Sequence, residues 1–210
     1  MRGTDYAPIL RATERYKMFD YIAKTGMSRD EIESNIQSVF DKATPAIIAQ
    51  GATWYDEAKA VAEEMVNMPF ISSIEHAAWV IAAMSPRMFW GQNVKAALHY
   101  AATGKRLAGL MTRSYDKACA FATDFNGDFA NLAKSGKTPA FAANICGDDS
   151  RVTVDVWAAR VAGIDEKILN RVGVYEAIAE CYVSVALRNG VTPAQCQAIT
   201  WIVQRNGRAQ

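Results

Sequence analysis

A lysine and an aspartate occupy positions where side chains can support catalysis. Lys137 follows a glycine in the run Gly-Lys-Thr and precedes an apolar helical pattern, and Asp155 follows the short β-like run 151–154 and precedes another helix. A lysine on an apolar helix can lose its charge by desolvation and become a nucleophile, whereas a carboxylate at a helix N-terminus is kept ionised by the helix dipole. Each residue also has a simpler interpretation, Asp155 as a helix cap only and Lys137 as a surface charge only.

The run Gly136-Lys137-Thr138 also matches the end of a phosphate-binding P-loop. That motif needs another glycine five positions before Gly136 and a strand in front of the loop. Asn131 stands at that position, and the residues before it do not have the pattern of a strand. The sequence therefore excludes a nucleotide-binding loop of this type.

The spacing of the two residues resembles the core of the helix-hairpin-helix DNA glycosylase superfamily, of the endonuclease III type. In that family a hairpin ending in Gly-x-Lys is followed by Val-Asp-x-His-Val-x-Arg-Val about eighteen residues after the lysine. Here Asp155 follows Lys137 by 18 positions, and Arg160 follows Asp155 by 5. The likeness covers roughly 74–163, because 79–87, 93–97 and the residues 109–118 are similar, in the same order, to family segments upstream of the hairpin.

The resemblance implies roles for individual residues. Asp155 matches the aspartate that stabilises positive charge at the sugar or activates the nucleophile, and Lys137 matches the lysine that forms a Schiff base in bifunctional members. The loop 85–87 matches the family loop that fills the gap left by a flipped base, and N–H groups at the hairpin grip a DNA phosphate. The expected DNA-binding residues are Ser135, Gly136, Arg87, Lys95, Lys117 and Arg160.

The chain departs from the endonuclease III pattern in ways that suggest a particular branch. The hairpin Leu-Pro-Gly-Val-Gly is replaced by Leu-Ala-Lys-Ser-Gly at 132–136, Arg87 replaces a glutamine, and the C-terminal cysteine cluster of iron–sulfur members is absent. The segments 54–55, 85–90 and 197–201 are similar instead to a phage-encoded branch that is associated with hypermodified thymine in viral DNA. The expected base pocket consists of Trp54, Tyr55, Ser85, Trp90 and Trp157, with Phe89 as a further stacking candidate.

Three functions follow as hypotheses. The favoured one is transfer of an amine or amino acid onto activated 5-hydroxymethyluracil in phage DNA, since a pocket that stabilises cationic character beside a flipped base can also stabilise loss of pyrophosphate from a base methylene. The second is a DNA glycosylase or lyase that excises a base. The third is a catalytically inactive DNA-binding module, which would need neither Lys137 nor Asp155. All three predict double-stranded DNA as partner, and an amino acid or polyamine is the co-substrate of the first.

The elements that must position these residues are predicted to be helices throughout. The predicted fold is therefore all-α and glycosylase-like, in a single domain that spans 1–210. Two helical lobes are expected, with the site between them. Capping boxes are expected at Ser28 and Ser72, and Thr192-Pro193 marks another helix start. The predicted helices are 7–24, 29–42, 53–67, 73–84, 89–102, 114–124, 128–134, 138–145, 155–162, 175–188 and 193–204. Trp79 and Trp201 lie on apolar stripes and are predicted to pack in the core.

Composition narrows the class of protein. The chain has 210 residues, half of them apolar, and 23 basic residues against 22 acidic ones, which argues against disorder and against bulk-charge binding of nucleic acid. A locally basic region is nevertheless expected from Arg87, Lys95, Lys105, Arg106, Arg113 and Lys117.

Neither a cofactor nor a membrane span is predicted. The four cysteines form no Cys-x-x-Cys pair and lie far from the two histidines in sequence, so no zinc or iron–sulfur site and no other cofactor is expected. The residues 1–16 lack the apolar stretch of a signal peptide, and no run approaches the length of a membrane span. The expected location is the cytoplasm of an infected bacterial host.

Overall fold

The fold is all-α over the residues that the structure describes, as the sequence predicts. The structure is a computed structural model that describes residues 12–133 and 136–205, and it assigns none of them to a strand. Its α-helices are α1 Ala12–Ala23, α2 Arg29–Phe40, α3 Pro45–Met65, α4 Ile74–Met84, α5 Trp90–Thr103, α6 Thr112–Asp124, α7 Lys137–Ile145, α8 Val156–Val161, α9 Val174–Asn189 and α10 Pro193–Gln204. Single 3₁₀ turns form at Phe129–Asn131 and Glu166–Ile168.

Local capping chemistry sets several helix starts. The Ser28 side chain accepts a hydrogen bond from the Glu31 N–H while the Glu31 carboxylate accepts from the Ser28 N–H, so this capping box is confirmed. Thr192 and Gln195 form a second reciprocal pair at the start of α10. Each pair satisfies backbone N–H groups that a helix start otherwise leaves without partners.

Other boundaries differ from the prediction. The capping box at Ser72 is wrong, because α4 starts one residue later and Ser73 is the residue whose hydroxyl accepts from the His76 N–H. Helix α3 starts eight residues before the predicted 53, because Thr44 caps it and Pro45 fits its first turn. The predicted helix 128–134 shrinks to one 3₁₀ turn, and the first five residues of the predicted helix 7–24 lie outside the described residues.

Two hydrophobic clusters form the core. The first lies around α4, which is buried on every side by α3, α5, α6 and α7, and it includes Trp79 as predicted. The second gathers α2, α8 and α9 around Ile32, Ile36 and Tyr182, and it takes in Val152 and Val154 from the extended run. The two clusters draw on different stretches of the chain, and α10 is shared between them.

Helix α10 contributes opposite faces to the two clusters. Ala194 and Ala198 belong to the first, whereas Cys196 and Ile199 belong to the second. Helix α3 approaches α10 most closely at Gly51, where a Cβ would lie only 2.9 Å from the backbone of Ile199. This contact requires glycine, and it fixes the position of α10 relative to α3.

Candidate functional site

A pocket opens where the first cluster meets the chain segment that leads into the second. Its walls come from the middle of α3, the C-terminal end of α4, the first turns of α5 and α7, the extended run before α8, and α10. Its cavity has a volume of about 90 Å³, which is below the range of sites that enclose a drug-sized ligand. Its polar lining consists of Ser85, Asn93, Lys137, Thr153, Asp155, Gln197 and Arg205.

Lys137 enters the pocket from the first residue of α7. Its Nζ donates a hydrogen bond of 3.2 Å to the Oγ of Ser85, and that hydroxyl donates in turn to the carbonyl of Ala82 at 2.9 Å. Burial lowers the pKa of the Lys137 ammonium below its ordinary value, and the negative charge of Asp155 offsets part of this shift. The side chain is therefore a partly buried, oriented amine and not a freely solvated surface charge.

Asp155 is the N-cap of α8 and also lines the pocket. Its Oδ1 accepts hydrogen bonds from the N–H groups of Trp157 and Ala158, both at 2.9 Å. The cap does not use Oδ2. The interpretation of Asp155 as a cap is thus confirmed, and the same carboxylate lies near enough to Lys137 to affect its protonation.

The extended run before Asp155 is fixed by side-chain hydrogen bonds. The Tyr175 hydroxyl donates to the carbonyl of Val152 at 2.7 Å and accepts from the N–H of Val154 at 3.2 Å. The buried Thr153 hydroxyl donates to the Oδ1 of Asn144 at 2.8 Å. These bonds replace the partner strand that an isolated extended run lacks, so Asp155 is held in place from both sides of the run.

Aromatic rings form the apolar part of the lining. The Trp54 ring lies at the centre of the group, with its centroid 4.9 Å from Tyr55, 5.3 Å from Trp90, 5.8 Å from Trp201 and 5.9 Å from Phe141. Flat faces of this kind suit a flat ligand such as a nucleobase. Trp54, Tyr55 and Trp90, together with Ser85, therefore lie in the pocket where the sequence places them.

Tyr55 links this aromatic group to α10. Its hydroxyl donates a 2.8 Å hydrogen bond to the Oε1 of Gln197, and burial raises the pKa of the hydroxyl above its ordinary value. Tyr55 is therefore a neutral donor, and it orients the Gln197 amide with the NH₂ group as the end left for a further partner.

Two tryptophans lie in other places than the sequence predicts. Trp157 does not line the pocket, because it shares a face of α8 with Arg160, whose guanidinium lies 4.8 Å from its ring. Trp201 was expected in the core but lines the pocket, because α10 presents this position to the opening instead of to its neighbours. Arg205 connects the two, since its guanidinium lies 4.5 Å from the Trp201 ring and 5.9 Å from the Trp157 ring.

The basic residues expected to bind DNA differ in exposure and in ion pairing. Arg87 and Lys95 are exposed, and Lys117 is partly buried, its pKa lowered by burial and by the positive charges of Arg113 and Lys137. Arg160 instead forms an ion pair with Glu166 at 2.6 Å.

The expected hairpin contributes two further DNA-binding candidates, Ser135 and Gly136. Gly136 has a helical backbone and packs on the Tyr175 ring. Ser135 lies outside the described residues.

The sequence does not predict several other lining residues, namely Met88, Asn93, Phe141, Thr153, Gln197, Ala198 and Arg205. Asn93 had a readable signal, because it is a polar residue on the stripe of α5 that also buries Ala96, Ala97 and Tyr100. Phe141 resembles any apolar core position on α7. Arg205 follows the last residue of α10, and only the tertiary packing brings it to the pocket mouth.

Among the described residues, histidine, cysteine and acidic side chains do not form a group of three that could hold a metal ion. Within the same residues, every helix is too short or too polar to cross a bilayer.

Comparison with known proteins gives a family but no activity. The chain belongs to a family of unknown function, DUF7178, whose model matches residues 18–208. No curated protein and no solved structure matches the chain. The matched range contains every residue that lines the pocket, so the family model spans the whole site.

Proposed function

We propose that this protein is a DNA-modifying enzyme that draws a pyrimidine out of the duplex into the pocket and alters it there. The observation that supports the proposal is the meeting of Lys137 and Asp155 in one aromatic-lined pocket, although they lie on separate helices. The helix-hairpin-helix glycosylase likeness predicts this pairing from spacing alone. A module that only binds DNA has no need of an oriented amine and a carboxylate in one pocket.

The reaction we favour is transfer of an amine or amino acid onto 5-hydroxymethyluracil activated as its pyrophosphate ester. The donor nitrogen attacks the C5 methylene carbon, a C–N bond forms, and the C–O bond to pyrophosphate breaks with its electron pair leaving on oxygen. The donor nitrogen then loses one proton, which the Asp155 carboxylate accepts. Asp155 also stabilises positive charge that develops on the methylene, and Lys137, when protonated, neutralises the departing pyrophosphate.

Exposed cations near the pocket provide a surface for the DNA backbone. Arg87 and Lys95 lie on the loop after α4 and on α5, next to the turns that carry Ser85 and Asn93. No ion pair to a carboxylate is found for either residue within the described part of the chain. Phosphates therefore have access to them, as expected for an enzyme acting on viral DNA in the cytoplasm of an infected bacterium.

Base excision is the second candidate, and the environment of Lys137 favours it. Burial lowers the pKa of this amine, which raises the fraction of the neutral, nucleophilic form. A neutral amine could attack the anomeric carbon of the sugar, displace the base and form a Schiff base with the opened sugar. The two reactions differ in whether the glycosidic bond survives.

Nucleoside mass spectrometry separates the candidates. The protein is incubated with DNA that carries pyrophosphorylated 5-hydroxymethyluracil and a mixture of amino acids and polyamines. The expected result is a heavier thymidine derivative, with no abasic sites and no adduct trapped by borohydride. Release of free base, together with an adduct that disappears in Lys137→Ala, would establish base excision instead. DNA that is bound but chemically unchanged would support the third hypothesis, a catalytically inactive DNA-binding module.

Asp155→Asn is the matched variant for this experiment. The amide keeps an oxygen that can accept from the N–H groups of Trp157 and Ala158, so the free energy of unfolding should change by less than about 1 kcal/mol. Product formation should fall by about 10²- to 10³-fold, the effect of removing one electrostatic stabiliser. Near-normal turnover by the folded variant would limit Asp155 to its capping role.

A further inference from the structure

Asn93 has a buried polar atom that lacks a partner inside the pocket. The residue is 2% exposed, and its Oδ1 accepts no hydrogen bond from the described residues. The Nε2 of His76 is the other side-chain atom in this condition among them, but His76 stacks on Phe121 and does not line the pocket. Of the two residues, only Asn93 lines the pocket.

A buried carbonyl oxygen without a partner destabilises the empty protein, because it has lost water and gained nothing in return. Asn93 is held in this position by its neighbours on α5, where Ala96 and Ala97 are fully buried on the same face. The oxygen is therefore preorganised for a donor that arrives with the ligand. A ligand that brings an N–H group to this point recovers the missing hydrogen bond.

The other polar groups of the pocket define what should flank that N–H. Lys137 supplies an ammonium or amine donor, and Gln197 presents its NH₂ end because Tyr55 occupies its Oε1. The pocket thus combines one buried acceptor with donors on other walls and aromatic faces that accept a flat ring. An imide, in which one N–H lies between two carbonyl oxygens, has the complementary pattern. A uracil-type ring carries this imide at N3, whereas the N3 of cytosine is an acceptor.

We propose that Asn93 is the specificity-determining residue of the pocket, and that its Oδ1 accepts the N3–H of a uracil-type base. This inference rests on the proposed function for its location, since it assigns the recognition of the base that the reaction would modify. It concerns binding only, so it can be tested without any turnover.

The test is a fluorescence titration of the full-length protein, in which quenching of pocket tryptophans such as Trp54 and Trp90 reports binding. The probes are thymidine, N3-methylthymidine and deoxycytidine. Thymidine should bind about tenfold more tightly than either of the others, because only thymidine carries an N–H at N3, the position assigned to the Asn93 oxygen. Equal affinities for thymidine and its N3-methyl form, or no saturable binding of thymidine up to its solubility, would overturn the proposal.

The variant Asn93→Leu supplies a second, independent measurement. Leucine has a similar shape and lacks the unpartnered oxygen, so the urea midpoint should rise while the preference for thymidine over N3-methylthymidine is lost. A lower midpoint with the preference retained would make Asn93 a structural residue. Gln195→Leu on α10 is a control, since the Gln195 side chain lies outside the pocket lining, accepts from the Thr192 N–H and donates to the carbonyl of Ala52, so its loss should lower the midpoint without changing the preference.

The two proposals fail in different ways. If thymidine is preferred through Asn93 but no modified or released base is detected, the recognition stands and the proposed reaction fails. If a modified base forms and Asn93→Leu keeps the full preference for thymidine, the reaction stands and the assignment of Asn93 fails.

Discussion

Replacing Gly136 with alanine tests how the segment that carries Lys137 is held against the rest of the fold. A Cβ at this position would lie 2.6 Å from Cε1, 2.8 Å from Cδ1 and 2.9 Å from Cζ of Tyr175. The Tyr175 ring cannot easily move, because its hydroxyl is bonded to the backbone of Val152 and Val154. The backbone of Gly136 is helical, with φ −63° and ψ −26°, so alanine conflicts only through its Cβ.

Overpacking of this kind costs about 1–3 kcal/mol of unfolding free energy. With a slope of about 2 kcal/mol per molar urea, the midpoint of urea unfolding should fall by about 0.5–1.5 M. The matched control is Gly91→Ala on α5, where no atom lies within 4 Å of the new Cβ. That change should leave stability unchanged or raise it by up to about 1 kcal/mol, because alanine restricts the unfolded chain and favours the helix.

A double-mutant cycle shows whether Tyr175 is the cause. In a Tyr175→Ala background, Gly136→Ala should no longer be destabilising, which gives a coupling energy of about 1–3 kcal/mol between the two positions. Equal midpoints for Gly136→Ala and Gly91→Ala, or an unchanged cost in the Tyr175→Ala background, would refute the argument that ring contact requires glycine at 136.

Three further predictions concern charged residues. Because burial lowers the folded-state pKa of Lys137, the folded protein binds fewer protons there than the unfolded chain and becomes more stable as pH rises towards 10.5. Lys137→Met should therefore be more stable than the wild type at neutral pH, by a margin in unfolding free energy that shrinks near pH 10. A margin that does not change with pH would contradict this. Arg87 has a left-handed backbone with φ +60°, which glycine adopts without strain. Arg87→Gly should therefore raise the free energy of unfolding, measured by urea titration, by about 1 kcal/mol, whereas Arg87→Ala should leave it unchanged. Equal stability of the two variants would exclude strain at this position. Lys95→Ala and Arg113→Ala should each reduce the magnitude of the slope of log DNA affinity against log salt concentration by about one. Arg160→Ala should change this slope less, because the Arg160 guanidinium is paired with Glu166. DNA binding that is insensitive to salt would exclude a phosphate-binding surface.

The local part of the site could be predicted from the sequence because it depends on neighbours in the chain. Asp155 caps α8 since a short acidic side chain before a helical pattern can reach the free N–H groups of the first turn. Lys137 starts α7 because the apolar period of the helix begins after Gly136. The start of α3 was missed although Thr44-Pro45 is a local signal, because the apolar pattern was read as beginning later.

The composition of the pocket was decided by the tertiary structure. The resemblance assigns Trp157 to the base pocket, and the apolar stripe of α10 assigns Trp201 to the core. Packing separates them, because α10 lies between the two hydrophobic clusters and presents Trp201 to the opening, while Trp157 lies beneath Arg160 on the short α8.

Asn93 and Arg87 illustrate the same division. The sequence shows a polar residue on the buried face of α5 and a basic residue after Ser-Pro, and both patterns fit an ordinary helix and an ordinary loop. The unpartnered oxygen of Asn93 and the left-handed backbone of Arg87 exist only because distant segments fix α5 and the loop before it in one arrangement. The sequence alone determined that the described chain is helical and where α2 and α10 begin, since capping hydrogen bonds within a few residues decide these starts. Contacts between residues far apart in the chain decided which side chains share the pocket.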